Sequence, residues 1–369
     1  MIYLDYQATT PLAPEVYEAM TPWLRDNFAN PHSAHRLGRA AAAVVEVARE
    51  QIAALLPRNG RVVFTSGATE ALNIAIFGAA RRARQRDPKR TRILLPDTEH
   101  AAVRDTALAL AAEGFEPVLL AVEADGMLTV ETLAAAMDDR VALLAVMLVN
   151  NEIGVIQPVD APGDAARAAG ALFLCDAVQG YGRIDLPPHA DMIVLSGHKI
   201  HGPKGIGALW LRDGLDLPPL LHGGGQEGGL RSGTLSPALC VGLGAAARLM
   251  AERREADAAH VEALWRRARG LFVDWTVNGS EDKRYHGNLN IRRAGLDAAR
   301  LMSECRDVAF SLGSACASGS GRPSHVLRAI GLSDAQARSS IRLGFGRATT
   351  LDEIERAAHI INSAADAQL

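Results

Sequence analysis

The chain has 369 residues, of which 48% are hydrophobic and 22% are charged, and its formal net charge is -3. This composition is typical of a globular protein with room for one large domain and a smaller one. The nearly balanced charge gives no reason to expect nucleic acid or an acidic membrane surface as a partner. Because no signal peptide and no apolar run of bilayer length is found, we expect a cytoplasmic protein.

Short apolar strands alternate with helices through the first two thirds of the chain. Strands are predicted at 61–65, 93–95, 117–121, 141–149, 171–175, 192–195 and 208–211, and helices at 14–24, 37–55, 68–81, 100–112, 130–137 and 160–169. This alternation favours an α/β fold, with a mainly parallel sheet that helices cover on both faces.

The pattern changes after residue 244. A long helix is predicted to about residue 270, followed by strands at 272–277, 285–291 and 307–311 and helices at 298–305, 324–330 and 351–364. These elements indicate a smaller α+β domain. The predicted division assigns residues 12–250 to the large domain, and residues 1–11 and 251–369 to the small one.

Polar residues follow two of the predicted strands at the edge where ligands bind in open α/β sheets. Residues 66–70 form a small, hydroxyl-bearing turn that opens a helix, and its free amides with Thr69 predict an anion site. The alternative for this turn is a simple helix cap. Asp176 ends a buried strand and needs a cationic partner, such as a protonated pyridine nitrogen, unless it only caps the turn.

Three further strand ends carry side chains that could take part in binding or catalysis. His100 can stack on a flat ring and move protons, or serve as a structural histidine at a helix start. Asn151 can hold a carboxylate, or merely form the turn. Lys199 lies in a loop of small residues, where a lysine removed from water becomes an amine nucleophile; the alternative is a surface lysine. Together the strand ends indicate an aldehyde cofactor with a phosphate and a pyridine ring.

The four cysteines differ in their surroundings. None is arranged as C-x-x-C, so neither a disulfide framework nor a metal site is expected. Cys175 lies in a buried strand, Cys240 in an apolar helix and Cys305 at a helix end, which predicts three inert thiols. Cys316 is the one cysteine in a loop of Gly, Ser and Ala, which is typical of an accessible thiol.

Several motifs occur in order along nearly the whole chain. They are TSGATE at 65–70, NNEIG at 150–154, DAVQ at 176–179, SGHK at 196–199, RSGT at 231–234 and GSAC at 313–316. The chain thereby resembles the cysteine desulfurases of the class-V aminotransferase group, which are pyridoxal-phosphate enzymes of fold type I. The long loop at 313–321, followed by PSHVLR at 323–328, resembles the group I, NifS/IscS-like branch.

The resemblance implies an enzyme that converts L-cysteine to L-alanine. Lys199 would bind pyridoxal 5'-phosphate covalently and later move the substrate Cα proton, and Cys316 would take the sulfur as a persulfide. The other implied cofactor ligands are His100 on the ring, Asp176 at the pyridine nitrogen, Gln179 at the phenolic oxygen, and Ala68, Thr69, Ser196 and His198 at the phosphate. The large domain would hold this cofactor, and the small domain would carry the cysteine loop.

The resemblance also implies partners. Asn151 and Arg342 would hold the substrate carboxylate, and the guanidinium fork of Arg342, which lies in an apolar strand-like stretch, suits that role. Thr234 would reach the cofactor phosphate of the other subunit, which implies a homodimer. The persulfide would pass to a sulfur-acceptor protein, for iron–sulfur clusters or other sulfur delivery.

Two features depart from the family pattern. Gly228 stands where an arginine usually follows the glutamate, and the sequence ends soon after its last helix, so the resemblance does not extend to the longer tail through which relatives dock a scaffold. One alternative function is a related pyridoxal-phosphate enzyme, a selenocysteine lyase or aminotransferase, in which Cys316 is less central. The alternative from another class is a non-catalytic, cofactor-binding partner in sulfur relay.

Overall fold

The computed structural model describes residues 1–312 and 323–369. Its α-helices are α1 (Pro14–Arg25), α2 (Arg36–Ala53), α3 (Ala68–Arg86), α4 (Ala101–Ala109), α5 (Val130–Ala136), α6 (Asp160–Ala168), α7 (Pro237–Leu271), α8 (Ala298–Glu304), α9 (His325–Ala329), α10 (Asp334–Arg338) and α11 (Leu351–Asp366). Its strands are β1 (Ile2–Tyr3), β2 (Gly60–Thr65), β3 (Arg92–Pro96), β4 (Glu116–Leu120), β5 (Val141–Met147), β6 (Leu172–Asp176), β7 (Met192–Ser196), β8 (Gly207–Arg212), β9 (Thr276–Val277), β10 (Asn288–Arg292), β11 (Val308–Ala309) and β12 (Ser340–Gly344). Within these two ranges, no helix has the length and apolar character needed to cross a membrane.

The central sheet has seven strands in the order β2-β8-β7-β6-β5-β3-β4. Strands β3 to β7 pair in parallel, whereas β8 is antiparallel to both of its neighbours. Two successive antiparallel pairings restore the direction, so β2 points the same way as β7. The segments that follow β2, β3, β5, β6 and β7 therefore meet at one edge of the sheet. The predicted mainly parallel α/β sheet is confirmed.

Helices cover both faces of this sheet. Helices α1, α2, α5, α6 and α7 share one apolar cluster with the sheet, and α3 and α4 share a second cluster on the opposite face. The side chains of β2 alternate between them, since Phe64 belongs to the first cluster and Val63 to the second. Strands β5 and β7 are buried along their full length because they lie between the two helical layers.

A third apolar cluster joins the end of α7 to α8, α11 and two small sheets, β12-β10-β9 and β1-β11. The strands here are shorter than predicted. The stretch before β9 turns instead, with the Trp275 amide donating to the Phe272 carbonyl at 3.2 Å. The start predicted for β10 turns as well, with the Asn288 amide donating to the Tyr285 carbonyl at 3.1 Å. Phe272 and Trp275 are buried and Tyr285 is half-buried, yet none of the three lies in a strand. Apolar content alone therefore does not distinguish a strand from a buried turn.

Helix α7 begins earlier than predicted, at Pro237 rather than near residue 244. Pro237 suits the first helical position, and the Ser236 hydroxyl accepts a hydrogen bond from the Leu239 amide. The helix then continues to Leu271, so it runs through the predicted domain boundary near residue 250. The division at that residue stays a prediction.

Candidate active site

A cavity of about 510 Å³ lies where the carboxyl ends of the parallel strands meet. It is lined by most of the residues singled out from the sequence: Ala68, Thr69, His100, Asn151, Asp176, Gln179, Ser196, His198, Lys199 and Arg342. Thr234 is exposed and is not among the lining residues. Cys316 lies outside the described residues. The sheet topology thus brings residues from distant motifs into one space.

The N-terminus of α3 forms one wall of the cavity. The first amides of the helix, at Ala68 and Thr69, lack intrahelical partners, and no side chain of the described residues caps this terminus, so the amides suit an anion. The Ser66 amide is already used, because it donates to Glu70 Oε2 at 2.6 Å. Glu70 also accepts from Arg231 Nε at 2.6 Å, which ties the 231–234 loop to this wall.

Asp176 ends β6 as a buried carboxyl, with 4% of its surface exposed. Its Oδ1 accepts the Val178 amide at 3.0 Å. Burial raises the pKa of this carboxyl, while the charges of His100 and Lys199 act in the opposite direction. A protonated pyridine nitrogen in the cavity would give the carboxylate the cation that burial demands, so Asp176 fits a pyridoxal group.

Lys199 follows β7 in a short 3-10 turn, Gly197–Lys199. Its Nζ donates to the Ala8 carbonyl at 2.8 Å and also to the Gln7 carbonyl. The Lys199 carbonyl accepts Arg183 Nη2 at 2.5 Å. Nearby, His201 has a left-handed φ of 64°, and its amide donates to Thr10 Oγ1 at 2.7 Å. The surrounding structure therefore holds this lysine and its strained turn in place.

The two histidines that line the cavity differ in their contacts. His100 caps α4, with Nδ1 accepting the Ala102 amide at 3.0 Å, so Nε2 is the ring nitrogen left to carry a proton. His198 Nδ1 lies 3.2 Å from Thr9 Oγ1. Burial, together with the charges of Lys199 and Lys204, lowers the pKa of His198 to about 4. His198 is thus neutral near pH 7, and Lys204, which the sequence reasoning missed, adds positive charge at this wall.

Arg342 on β12 is almost completely buried, with 1% of its surface exposed. Its Nη1 donates to the Asn151 carbonyl at 2.9 Å and its Nη2 to Asp5 Oδ1 at 2.7 Å, whereas Nε has no partner within residues 1–312 and 323–369. The neighbouring Asn150 has a structural role, since its Oδ1 accepts the amides of Glu152 and Ile153 at 2.9 and 3.0 Å. The two asparagines of the motif therefore differ in position, as only Asn151 lines the cavity.

Glu99 is a buried acid that the sequence reasoning missed. It is 1% exposed, and its Oε1 accepts the Met147 amide at 2.6 Å. Its Oε2 has no hydrogen-bond partner in the described part of the chain. Burial, and then the charge of Asp176, raise the pKa of Glu99 well above its usual value. Its position at a strand end, directly before His100, was the feature of the sequence that could have indicated a place in the site.

The segment 5–10 is the largest part of the site that the sequence reasoning missed, because residues 1–11 were assigned only to the small domain and given no role at the cavity. The Gln7 carbonyl accepts Gln179 Nε2 at 2.9 Å as well as the Lys199 amine. Thr10 Oγ1 donates to the His198 carbonyl at 2.9 Å. The signal in the sequence was a polar run placed directly after the apolar residues 2–4.

The chain on either side of residues 313–322 is tied to residues of this site. Before that segment, Ser311 Oγ donates to Asp5 Oδ1 at 2.9 Å, and Asp5 pairs with Arg342. After it, His325 Nε2 lies 2.9 Å from the Glu99 carbonyl oxygen.

The three cysteines within the described residues are buried. Burial raises the pKa of Cys175 well above its usual value, that of Cys240 to about 12, and that of Cys305 as well. The thiolate is the reactive form of cysteine, so these three side chains are poor nucleophiles. This agrees with their interpretation as inert thiols.

Buried His201 is expected to make the folded protein less stable on acidification. Burial, with the charges of Arg347 and Arg183, lowers the pKa of His201 from 6.5 to about 4. Below pH 6.5 the unfolded chain binds a proton that folded His201 does not bind, so stability falls between about pH 6.5 and 4. His201→Asn should lose less in melting temperature over this range, because asparagine tolerates the left-handed backbone and has no charge to gain.

Exposed His222 supplies the control, since His222→Asn should follow the wild-type curve. If His201→Asn also follows that curve, buried His201 does not contribute to the acid sensitivity.

Comparisons with known proteins agree with this geometry. A family model for class-V aminotransferases matches residues 2–357. The chain belongs to the class-V aminotransferase family. Cysteine desulfurase IscS of Rickettsia akari (strain Hartford) is 43% identical to it over 99% of this chain and 91% of that protein, and IscS of Rickettsia rickettsii (strain Iowa) is 42% identical with the same coverage.

Solved structures of the family have the same fold. A NifS-like protein superimposes with a TM-score of 0.90 at 30% identity, over 98% of both chains. SspA in complex with cysteine superimposes with a TM-score of 0.82 at 37% identity, over 94% of this chain and 99% of that one. The predictions of fold type I and of a cysteine desulfurase of the NifS/IscS kind are confirmed. The class-V family is pyridoxal-phosphate dependent, and the roles of individual residues stay predictions.

Proposed function

We propose that this chain converts L-cysteine to L-alanine with pyridoxal 5'-phosphate bound in the cavity of about 510 Å³, and that it transfers the sulfur to Cys316. The observation that carries the proposal is the meeting of Lys199, Asp176 and Arg342 in that one cavity. An amine, a buried acid and a guanidinium are what an aldehyde, a pyridine nitrogen and an amino-acid carboxylate require.

The cavity walls supply a place for each part of the cofactor. The phosphate would be held by the free amides of α3, with Thr69, Ser196 and His198. The ring would lie on His100 with its nitrogen at Asp176, and Gln179 would use its second amide hydrogen, since the first goes to the Gln7 carbonyl. When bound, the cofactor supplies an electron sink that makes the substrate Cα proton acidic.

Lys199 would be the amine that binds the cofactor and moves the Cα proton. The carbonyls of Gln7 and Ala8 accept its hydrogen bonds and so direct the Nζ atom. Arg342 and Asn151 would hold the substrate carboxylate, and the Nε of Arg342, which has no hydrogen-bond partner among the described residues, leaves donor capacity for it.

The sulfur step belongs to Cys316. Its thiolate attacks the substrate sulfur, a sulfur–sulfur bond forms, and the Cβ–S bond breaks with its electron pair going to carbon. That carbon takes up a proton, so the products are alanine and a Cys316 persulfide. Ser311, through Asp5, and His325, which flank this segment in the sequence, are tied to residues of the site.

The proposal also covers the domains, the dimer and the sulfur acceptor. We place the cofactor in a large domain of residues 12–250 and the cysteine in a small domain of residues 1–11 and 251–369. The chain would act as a cytoplasmic homodimer in which exposed Thr234 reaches the cofactor phosphate of the partner subunit. The persulfide would go to an acceptor protein, and the IscS relatives favour iron–sulfur cluster assembly as the destination.

Replacing Cys316 tests the sulfur step. Cys316→Ser should lower alanine formation from cysteine by on the order of 10²-fold or more, because serine cannot accept sulfur. Mass spectrometry of the wild-type enzyme after incubation with cysteine should show one added sulfur atom on the peptide that carries Cys316. The matched control is Cys240→Ala, which should keep both the turnover and the added sulfur. Alanine formation that survives intact in Cys316→Ser would favour the lyase alternative.

A further inference from the structure

The buried guanidinium of Arg342 has one carboxylate partner in the described parts of the chain, Asp5, with 2.7 Å between Nη2 and Oδ1. Arg342 is 1% exposed, whereas the Asp5 side chain is 18% exposed. A buried cation needs a counter-ion, so Asp5 compensates the charge of Arg342 in the free enzyme.

The Asp5 carboxylate is held firmly in place. Its Oδ1 also accepts the Ser311 hydroxyl at 2.9 Å, and its backbone carbonyl accepts the Ala8 amide at 2.9 Å. Ser311 and Arg342 are themselves joined by two backbone hydrogen bonds, of 2.7 and 3.2 Å. The carboxylate therefore has a fixed position beside the guanidinium.

A carboxylate that binds Arg342 must share the guanidinium with Asp5. The two negative charges would then lie within several ångströms of each other in a site of reduced dielectric constant, where like charges repel strongly. We propose that Asp5 is a positioning residue that acts through Arg342 and limits how tightly the enzyme holds a carboxylate. The proposal rests on the proposed role of Arg342 as the carboxylate ligand.

This limit matters because substrate and product carry the same group. L-Cysteine and L-alanine both present an α-carboxylate, so tighter binding of this group raises the affinity for substrate and product equally. Such uniform binding lowers KM without raising kcat, and it slows product release. Asp5 thus favours turnover over affinity.

Asp5→Asn is the direct test, because the side-chain carbonyl can still accept from Arg342 and Ser311 while the charge is gone. In the holoenzyme, KM for L-cysteine and the inhibition constant of L-alanine should both fall by about tenfold, and kcat should not rise. In the apoprotein, added formate should raise the melting temperature of Asp5→Asn more than that of wild type. A purely structural role for Asp5 predicts the opposite sign, since a loosened site raises KM and the inhibition constant.

Two further variants separate the possible failures. Asp185→Asn removes an exposed carboxylate that pairs with Arg254 at 2.6 Å, and it should leave alanine inhibition unchanged. Arg342→Lys should weaken alanine inhibition; if it does not, Arg342 is not the carboxylate ligand and the proposed substrate site is wrong. If Arg342→Lys weakens inhibition while Asp5→Asn leaves it unchanged or weakens it, the inference about Asp5 alone is overturned.

Discussion

Replacing Lys199 with arginine is expected to lower alanine formation by about 10³-fold or more while the melting temperature changes little. Arginine keeps the positive charge and can donate to the carbonyls of Gln7 and Ala8, which accept from Nζ in the wild type. Its guanidinium stays protonated, however, so it neither attacks an aldehyde nor moves a proton. Alanine release is measured by amino-acid analysis, with Lys89→Arg, a surface substitution beside Asp139, as the matched control.

A covalent readout separates chemistry from binding in the same pair of proteins. Borohydride reduction of the cofactor-loaded wild type should fix the cofactor to the peptide that carries Lys199, as detected by mass. Lys199→Arg should bind the cofactor reversibly and lose it on dialysis after the same treatment. If the reduced cofactor appears on another lysine, such as Lys204 on the same cavity wall, the assignment of the amine is wrong.

The strand-end residues could be predicted from the sequence because topology alone fixes their location. A polar residue directly after a buried parallel strand must lie at the carboxyl edge of the sheet, wherever that strand occurs in the chain. His100 and Lys199 follow β3 and β7, Asp176 is the last residue of β6, and all three line the cavity. The motifs around these residues indicated their chemistry, and the order of the strands in the sheet was not needed to place them at this edge.

Contacts made by segment 5–10 could not be predicted in the same way. The Lys199 amine bonds to carbonyls about 190 residues earlier in the sequence, and no local pattern encodes such a pairing. The burial of Glu99 could not be predicted for a similar reason, since its Oε1 accepts a hydrogen bond from the amide of Met147 on β5. Long-range hydrogen bonds of this kind follow from the packed structure.

The departure at Gly228 has a local structural basis. Gly228 has a φ of 65° and Glu227 a φ of 50°, so the turn is left-handed at two successive residues. Glycine adopts this conformation without strain, whereas an arginine there would be strained. The Glu227 carboxylate is neutralised by Arg49, at 2.8 Å, and also accepts the Phe64 amide at 2.7 Å. The loop is thus tied to β2 without a second arginine.

Ionisation of the buried acids is expected to affect the stability of the cofactor-free and the cofactor-loaded protein in opposite directions. Without the cofactor, Asp176 and Glu99 are buried acids of raised pKa, so ionising them destabilises the fold. With a pyridinium ring bound, ionised Asp176 would gain a partner of opposite charge. The cofactor should therefore stabilise the protein most strongly through this residue.

Asp176→Asn is expected to lower turnover by on the order of 10²- to 10³-fold, since it removes the charge that stabilises the protonated pyridine nitrogen. The same substitution should stabilise the apoprotein at higher pH. The folded pKa of Asp176 is raised, so its stability contribution is lost as pH rises from its usual pKa through the folded value. Asparagine escapes that loss and can still accept the Val178 amide.

The measurement compares melting temperatures at about pH 5 and about pH 8, with and without pyridoxal phosphate. Apo Asp176→Asn should exceed the apo wild type most at the higher pH, whereas added cofactor should raise its melting temperature less than it raises that of wild type. Asp216→Asn, which removes an exposed partner of Arg61, should behave as wild type in both comparisons. An apo variant that melts below wild type at both pH values would mean that the buried carboxylate already has a cation, and Asp176 would then not be reserved for the pyridine nitrogen.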